Sequence, residues 1–390
     1  MRKRTMGVLD GNGWLRVRSF VKDVEEFGID GSSIGYAEVN DSDLVARSLG
    51  REYTMGEEVF VLCDLWKKGK PLETYSRNIL RRVLEEHDIE VLVGYEVEFH
   101  IIEEERRGFY MAPSPVDKVK GEKFELLEFL NSLGIPAVLE HHEVGRGQHE
   151  ITIEAGKLPE KADEFYVAKY AMRKFFETKG LEVTFMPKPF TGEPGNGNHI
   201  HLSVWKEGKN LFEGEGLSKF GRLFLAGVLK YAREIALATN STVNSYKRLV
   251  PGHEAPTVIA WGFGNRSALV RVPDYRKHDR IEIRNPDCLC DFYLALAAIV
   301  EAGMKGVEEG LNPPEPSSEV LYGSQKYKSL PANLGEAIEE AEKGNILKKL
   351  LGSRFEGHIK QKKREWEEYV KATGDREEVT EWERNRYLLL

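Results

Sequence analysis

Four short segments of this chain place charged or imidazole side chains two residues apart, with apolar residues between and around them. They are the segments that carry Glu96 and Glu98, His199 and His201, Glu282 and Arg284, and the run His149–Glu154, which follows Glu143 across a turn. Side chains at positions i and i+2 project from the same face of a β-strand. Each segment therefore predicts a strand with one apolar face and one charged face.

The charged faces of these strands can meet bulk water, as in ordinary antiparallel sheets, or they can line a shared cavity. Four such strands in one chain, including a His-x-His pair, favour the cavity. Carboxylates with an occasional imidazole and no cysteine suit Mg²⁺ or Mn²⁺ better than zinc or copper. Because crowded carboxylates repel one another unless cations neutralise them, the pattern predicts a site for divalent metals.

A second group of side chains is cationic and lies within 37 residues of sequence: Arg248, Arg266, Arg271, Arg280 and Arg284. Arginine binds carboxylate and phosphate groups through two parallel hydrogen bonds. Surface salt bridges are the alternative interpretation, but the turn-rich, aromatic surroundings of these arginines do not resemble an exposed helix. The phosphate-binding loop G-x-x-x-x-G-K-[ST] is absent, so we expect metals and arginines to hold any nucleotide during phosphoryl transfer.

Length and composition limit the remaining choices. The chain has 390 residues, of which 41% are hydrophobic, so it can bury a large core and exceeds one typical domain. A change of pattern near Pro71 predicts two unequal domains, residues 1–71 and 72–390. The net charge of −8 and dispersed basic residues argue against a nucleic-acid partner. The sequence contains no apolar run of about 18 residues and no apolar stretch after its basic N-terminus, so we expect no membrane span and a cytoplasmic location.

Hydrophobic periodicity assigns elements to the rest of the chain. Helices are expected over residues 73–86, 117–133, 161–178, 218–238 and 292–306. Strands are expected in short pieces over 5–64, and over 90–102, 138–153 as a hairpin, 183–185, 198–205, 255–261, 267–272 and 280–284. The mixture of hairpins and helices predicts an α+β fold rather than a doubly wound parallel sheet.

Several motifs of this chain resemble those of the glutamine synthetase family, in the same order, from about residue 8 to about residue 310. They are Asp30–Ile34, the Glu96 and Glu98 strand, His142–Glu150, Met186–Pro189, the His199 and His201 strand, Asn244–Pro256, Asn265–Ser267, and the Glu282 and Arg284 strand. The long run Asn244–Pro256 is the most specific. The resemblance implies a small N-terminal β-grasp domain, shortened here, and a large catalytic domain built on an antiparallel β funnel flanked by helices.

The resemblance also implies roles for individual residues. Two or three Mg²⁺ or Mn²⁺ ions are expected, one group held by Glu98, Glu143 and Glu150 near glutamate and ammonium, and another held by Glu96, His199 and Glu282 near the ATP phosphates. The nucleotide is expected to contact His201, Ser203, Arg266, Arg271 and Arg280. Glutamate is expected to contact Gly195, Arg248, Glu254 and Arg284. The ammonium or amine is expected to contact Asp30, Ser33, Tyr110 and Glu143.

The implied reaction joins ammonia to the γ-carboxylate of glutamate through γ-glutamyl phosphate, with Asp30, Glu254 and Arg266 as catalytic residues. The resemblance implies that Asp30 acts in the active site of a neighbouring subunit. It therefore implies a homo-oligomer, namely a dodecamer. Two positions depart from the family pattern, since Pro194 replaces an asparagine and His253 a tyrosine. A γ-glutamylamine or polyamine ligase and a non-catalytic regulatory paralogue therefore stay open as alternatives. Tyr322 is interpreted as an ordinary surface tyrosine.

Overall fold

The first of two β-sheets occupies the N-terminal part of the chain. The computed structural model describes residues 3–104, 108–275 and 277–390. The strands of this sheet are β1 (Lys3–Leu9), β2 (Leu15–Phe20), β3 (Glu26–Asp30), β4 (Asp43–Met55), β5 (Glu58–Lys67) and β6 (Lys70–Pro71). Their order is β2-β1-β5-β4-β3, with β6 paired to β5, and only β1 and β5 run parallel. This mixed sheet matches the expected β-grasp arrangement, and over residues 3–71 it carries one 3-10 turn and no α-helix.

The second sheet has nine strands in the described residues and carries all four charged segments. Its strands are β7 (Glu90–Ile101), β8 (Ala137–His142), β9 (Gln148–Lys157), β10 (Val183–Thr184), β11 (Asn198–Lys206), β12 (Lys209–Asn210), β13 (Trp261–Phe263), β14 (Val270–Val272) and β15 (Ile281–Ile283). The main order is β13-β14-β15-β11-β7-β9-β8. Neighbouring strands are antiparallel except β13 and β14.

The described residues form eleven α-helices, some of which pack on the apolar face of the second sheet. They are α1 (Ser76–His87), α2 (Lys120–Ser132), α3 (Glu160–Thr178), α4 (Lys219–Lys230), α5 (Ala236–Thr239), α6 (Val243–Arg248), α7 (Phe292–Glu308), α8 (Leu334–Lys343), α9 (Ile346–Leu351), α10 (Phe355–Thr373) and α11 (Glu381–Tyr387). Tyr95 of β7 packs edge-on against Phe165 of α3 and Phe292 of α7, with ring centroids 5.6 and 5.5 Å away. Burying each such ring contributes about 1.5–3 kcal/mol. Because this face is filled, the alternate side chains must point away from the helices.

The close packing of α4 on α7 depends on glycine. A Cβ on Gly227 would lie 2.2 Å from the carbonyl oxygen of Ala302, and a Cβ on Gly306 would lie 2.4 Å from that of Leu223. Both values are below any normal van der Waals contact, so only residues without side chains allow this helix spacing. The pair fixes α7, which is buried along most of its length, beneath the sheet.

The predicted α+β class is confirmed, and several element predictions need correction. The helix expected over 218–238 ends at Lys230 and resumes as α5, because Glu234 lies in the intervening turns and accepts hydrogen bonds from the N–H groups of Asn345 (2.5 Å) and Ile346 (2.6 Å), at the start of α9. Helix α6 was not predicted, and the strands expected over 255–272 are only three residues each. The domain division at residue 71 stays a prediction. In the described residues, no helix is both long and apolar enough to span a bilayer.

Candidate active site

The charged face of the second sheet forms one wall of a cavity of about 420 Å³. Five of the predicted metal ligands line it, namely Glu96, Glu98, Glu143, Glu150 and His199. The opposite walls come from the loop at Pro194 and Gly195, the turn at His253 and Glu254, and the side chains of Arg248, Arg266 and Arg284. The alternation that predicted two-faced strands has therefore produced a shared interior, rather than solvent-facing charges.

One half of this wall, here called the open half, consists of Glu98, His141, Glu143 and Glu150. Glu98, Glu150 and His141 lie directly opposite one another on β7, β9 and β8. Glu143 follows β8, and its Oε1 lies 2.6 Å from His141 Nε2. Glu98 accepts hydrogen bonds from the Gly197 N–H at 2.7 Å and the Gln148 amide at 3.2 Å. Glu98 is thus held by two neutral donors, whereas Glu143 contacts an imidazole.

In the other half, here called the paired half, each carboxylate lies within hydrogen-bond distance of two guanidinium groups or two imidazoles. Its members are Glu96, His199 and Arg284, which line the cavity, and His201, Arg271 and Glu282, which lie outside the lining and contact these residues or one another. Glu96 lies 2.8 Å from His199 Nδ1 and 2.9 Å from His201 Nε2. Glu282 accepts hydrogen bonds from Arg284 at 2.5 Å and from Arg271. Each carboxylate is thus matched by positive or polarisable groups on the same or a neighbouring strand.

The pKa shifts follow this division. Burial raises the pKa of Glu150 well above the usual glutamate range, and the nearby charges of Glu96, Glu143 and Glu98 raise it further. Burial acts in the same direction on Glu282, but Arg284 and His201 outweigh it and lower the pKa of Glu282 to about 2. The hydrogen bonds from His199 and His201 likewise overcome burial and hold the pKa of Glu96 well below its usual range. In the open half the surroundings therefore oppose ionisation of Glu150, whereas in the paired half they favour ionisation of Glu96 and Glu282.

The donor sets fit divalent cations. In three groups, one ligand atom per residue lies within 4.8 Å of the others: Glu96, His199 and Glu282; Glu98, Glu150 and His199; and His141, Glu143 and Glu150. Each set combines two carboxylates with one imidazole, and none contains a thiol. His199 belongs to two of the sets, so adjacent ions would share it or lie on either side of it. These are hard, oxygen-rich ligands that suit a divalent metal.

The buried guanidinium of Arg248 is held against the cavity by backbone carbonyls. It donates to the carbonyl oxygens of Asn285 at 2.8 Å and Arg284 at 3.0 Å. Two glycines allow this position. A Cβ on Gly197 would lie 2.4 Å from an Arg248 nitrogen, and one on Gly195 would lie 3.0 Å from its Cγ. The cation is thus fixed beside the loop that closes one end of the cavity.

A family model described as the glutamine synthetase catalytic domain matches residues 73–387. The glutamine synthetase of Pyrococcus horikoshii is 39% identical over 396 residues, which cover 94% of this chain and 89% of that protein. That of Thermotoga maritima is 36% identical over 422 residues, with coverage of 98% and 95%. The chain belongs to the glutamine synthetase family.

Solved structures agree with this membership. A structure of GmaS in complex with ADP superposes with a TM-score of 0.88 at 27% identity, covering 99% of this chain and 96% of that one. A cryo-EM structure of Plasmodium falciparum glutamine synthetase has a TM-score of 0.84 with 99% and 95% coverage, and at 23% identity it shows the fold alone. The α+β architecture with its curled second sheet is thus that of the glutamine synthetase family.

The residues expected to bind nucleotide in this glutamine synthetase family member divide into two groups. Arg266 is exposed and lines the cavity. Outside the lining, Ser203 accepts a hydrogen bond from the Trp205 indole at 2.9 Å, and Arg280 donates to Asp279 and Tyr275, both at 3.0 Å. His201 and Arg271 lie in the paired half. Their predicted contacts with ATP therefore stay predictions.

The residues expected on the amine side are also divided. Tyr110 lines the cavity and packs edge-on against His141, with ring centroids 5.0 Å apart. Asp30 and Ser33 lie on an exposed loop of the first sheet, outside the cavity lining of the same chain, where Asp30 accepts hydrogen bonds from Ser32 and Ser33. A role for them in catalysis requires a second copy of the chain and stays a prediction.

The turn over residues 251–254 contributes His253 and Glu254 to the cavity lining. Glu254 adopts a positive φ of 60°, which is costly for a residue with a side chain. His253, Glu254 and Pro194 all line the cavity. Both positions that depart from the family pattern therefore face the space where substrate is expected.

The cavity wall includes side chains that the sequence interpretation missed, among them His141, Gln148 and Tyr322. His141 and Gln148 were detectable, because they lie two residues before Glu143 and Glu150. Tyr322 was interpreted as a surface tyrosine, and this is wrong, since it is only partly exposed and lines the cavity. It comes from a long irregular segment, for which periodicity gives no signal.

Proposed function

We propose that this chain joins ammonia to the γ-carboxylate of L-glutamate, using ATP to activate the carboxylate. The observation that carries the proposal is the convergence of the acidic wall and the guanidinium groups of Arg248 and Arg284 on one cavity. Bidentate guanidinium groups suit the carboxylates of glutamate. Membership of the glutamine synthetase family supports the same activity.

The chemistry follows in two steps. A γ-carboxylate oxygen of glutamate attacks the γ-phosphorus of ATP, and ADP leaves. The amine nitrogen then attacks the γ-carbonyl carbon, phosphate leaves, and Glu254 takes the proton released by the nitrogen. Glu254 is suited to this role because it lines the same cavity as the open half, and because burial and the charges of Glu143 and Glu98 raise its pKa. Its strained turn would exclude water from the acyl phosphate when it closes.

Two or three Mg²⁺ or Mn²⁺ ions would occupy the acidic wall, held by Glu98, Glu143 and Glu150 in the open half and by Glu96, His199 and Glu282 in the paired half. When bound, such ions offset the charge that develops on the transferred phosphoryl group. Arg266 at the mouth would contact the same group. Arg271 already donates to Glu282 and would position that ligand.

A homo-oligomer would complete the amine side. Asp30 and Ser33 are exposed and lie outside the cavity of their own chain. A second copy would bring this loop to Tyr110 and Glu143 and so supply an acidic group for ammonium. Size measurement combined with mixing an Asp30→Asn variant and a Glu254→Gln variant tests this, because shared sites would restore part of the activity.

A ligase for a larger amine is the second candidate, and the two unusual cavity residues favour it. Pro194 offers neither a backbone N–H nor an amide side chain, and His253 changes the mouth. A phosphate-release assay with glutamate, ATP and Mg²⁺ compares ammonia with methylamine, ethanolamine and polyamines. Turnover with ammonia supports the first proposal, turnover only with an amine supports the second, and ATP binding without turnover would indicate a regulatory paralogue.

A further inference from the structure

A second cluster of metal-ligating side chains lies behind the catalytic wall. His142 and His149 face each other directly across β8 and β9, next to the pair His141 and Glu150. Because successive side chains of a strand alternate, this histidine pair projects from the opposite face of the same ladder. Glu104, which follows β7, completes the cluster, and one ligand atom from each of the three residues lies within 4.8 Å of the others. All three residues are buried.

The imidazole of His142 is oriented like a metal ligand. Its Nδ1 lies 2.5 Å from the carbonyl oxygen of Glu143, to which it donates. This bond leaves the lone pair on Nε2, and Nε2 is buried without a hydrogen-bond partner among the described residues. A backbone carbonyl on one ring nitrogen and a free lone pair on the other is the usual arrangement of a metal-bound histidine.

We propose that Glu104, His142 and His149 form a structural site for a transition metal of the zinc class. Two imidazoles and one carboxylate match zinc, whereas Mg²⁺ and Mn²⁺ prefer oxygen ligands. With bond lengths of about 2.0–2.1 Å, tetrahedral ligand atoms lie roughly 3.3 Å apart. The ligand atoms now lie within 4.8 Å of one another, so metal binding would adjust this spacing toward that value, with water as the fourth ligand.

The surrounding charges accept a cation at this place. The ammonium of Lys123 is fully buried between Asp117 at 2.8 Å and Glu140 at 2.7 Å, and Glu140 also lies 3.0 Å from the ammonium of Lys120. These four groups together carry no net charge, so they do not repel a metal. His149 Nε2 lies 2.9 Å from Glu104 and shares a proton with it, while its Nδ1 has no partner in the described part of the chain. On metal binding that proton moves to Nδ1, which frees Nε2 and the carboxylate as ligands without net proton release.

The site links three segments that carry the open half. His142 precedes Glu143, His149 precedes Glu150, and Glu104 follows the strand of Glu98. A metal behind the sheet would hold these backbones at a fixed spacing while catalytic ions bind and leave in front. The site is separate from the proposed reaction, so it can be tested without an activity assay.

The test is zinc retention in excess Mg²⁺. The purified chain is stripped with a chelator, loaded with zinc, exchanged into Mg²⁺ buffer, and analysed by inductively coupled plasma mass spectrometry. We expect about one zinc per chain, lost in His142→Gln and Glu104→Gln. The matched control His278→Gln alters an imidazole remote from the cluster, and Glu150→Gln alters the catalytic wall. Both should keep the zinc.

X-ray absorption on zinc-loaded wild-type protein distinguishes the sites without any variant. Each of the three cavity sets contains a single imidazole, whereas the proposed site contains two. Scattering from two imidazoles supports the proposal even where a variant fails to fold. One imidazole, zinc loss in Glu150→Gln, retention in both cluster variants, or no zinc retained beside Mg²⁺ would each overturn it.

Discussion

The open and paired halves of the catalytic wall carry the same type of side chain but balance its charge differently. Glu282 lies between two guanidinium groups and Glu96 between two imidazoles. In the open half, Glu98 accepts hydrogen bonds from two neutral amides and Glu150 from a hydroxyl, while Glu143 contacts the imidazole of His141. Sequence spacing thus places carboxylates on one face, but the side chains around each of them, on the same or a neighbouring strand, decide whether the protein itself neutralises them. The open half is thus the part that depends on added cations.

The largest expected effect concerns Glu150. Glu150→Gln should lower kcat/KM roughly 1000-fold, since it removes a ligand from two of the donor sets. In metal-free protein the same change should raise the free energy of unfolding by about 1 kcal/mol, because it relieves repulsion among buried carboxylates. Steady-state kinetics and urea unfolding measure the two effects. The control Glu154→Gln lies on the same strand but is exposed, and should change neither.

The next largest effect is the gain in stability on metal addition, which should depend on the open half. At a Mg²⁺ concentration about 100 times its Kd, the free energy of unfolding should rise by about 2.7 kcal/mol. Glu143→Gln should remove most of this gain, because it leaves the open half short of a ligand. Denaturant curves with and without Mg²⁺ provide the measurement. An equal gain in the variant and the wild type would contradict the distinction between the halves.

In the paired half, Arg271→Gln should destabilise the protein whether or not metal is present. Glu282 is essentially unexposed, and the change leaves Arg284 as its sole guanidinium partner among the described residues. We expect a loss of about 2 kcal/mol. Arg280→Gln is the matched control, since its partner Asp279 is partly exposed, and it should cost less than about 0.5 kcal/mol. A similar loss of stability in both variants would argue against the idea that arginines neutralise the carboxylates of the paired half before metal binds.

The smallest effect is a pH dependence in the metal-free protein. The folded pKa of Glu150 is raised above its unfolded value, so its charged form destabilises the fold at neutral pH and this cost disappears as pH falls toward the unfolded pKa near 4.5. Relative to Glu150→Gln, the wild type should therefore become more stable as pH falls from 8 toward 4.5. Urea unfolding of chelator-treated proteins checks this. A difference independent of pH would show that Glu150 is not perturbed.

Much of the wall could be predicted from the sequence, because alternation along a strand is a local property. Glu96, Glu98, Glu150 and His199 reach the cavity for this reason. The bend after Lys230 could not be predicted, since it depends on Glu234 contacting a helix more than a hundred residues away. Tyr322 was misassigned because irregular segments are positioned by tertiary packing, which leaves no periodic trace.

Strand β7 lies between β9 and β11 and contributes Glu98 to one half of the wall and Glu96 to the other. Inserting or deleting a single residue within it would turn both carboxylates toward Phe165 and Phe292 and bring Tyr95 and Val97 into the cavity. Changes in the loops on either side of this strand leave the wall intact, whereas a change in the spacing of Glu96 and Glu98 within it does not.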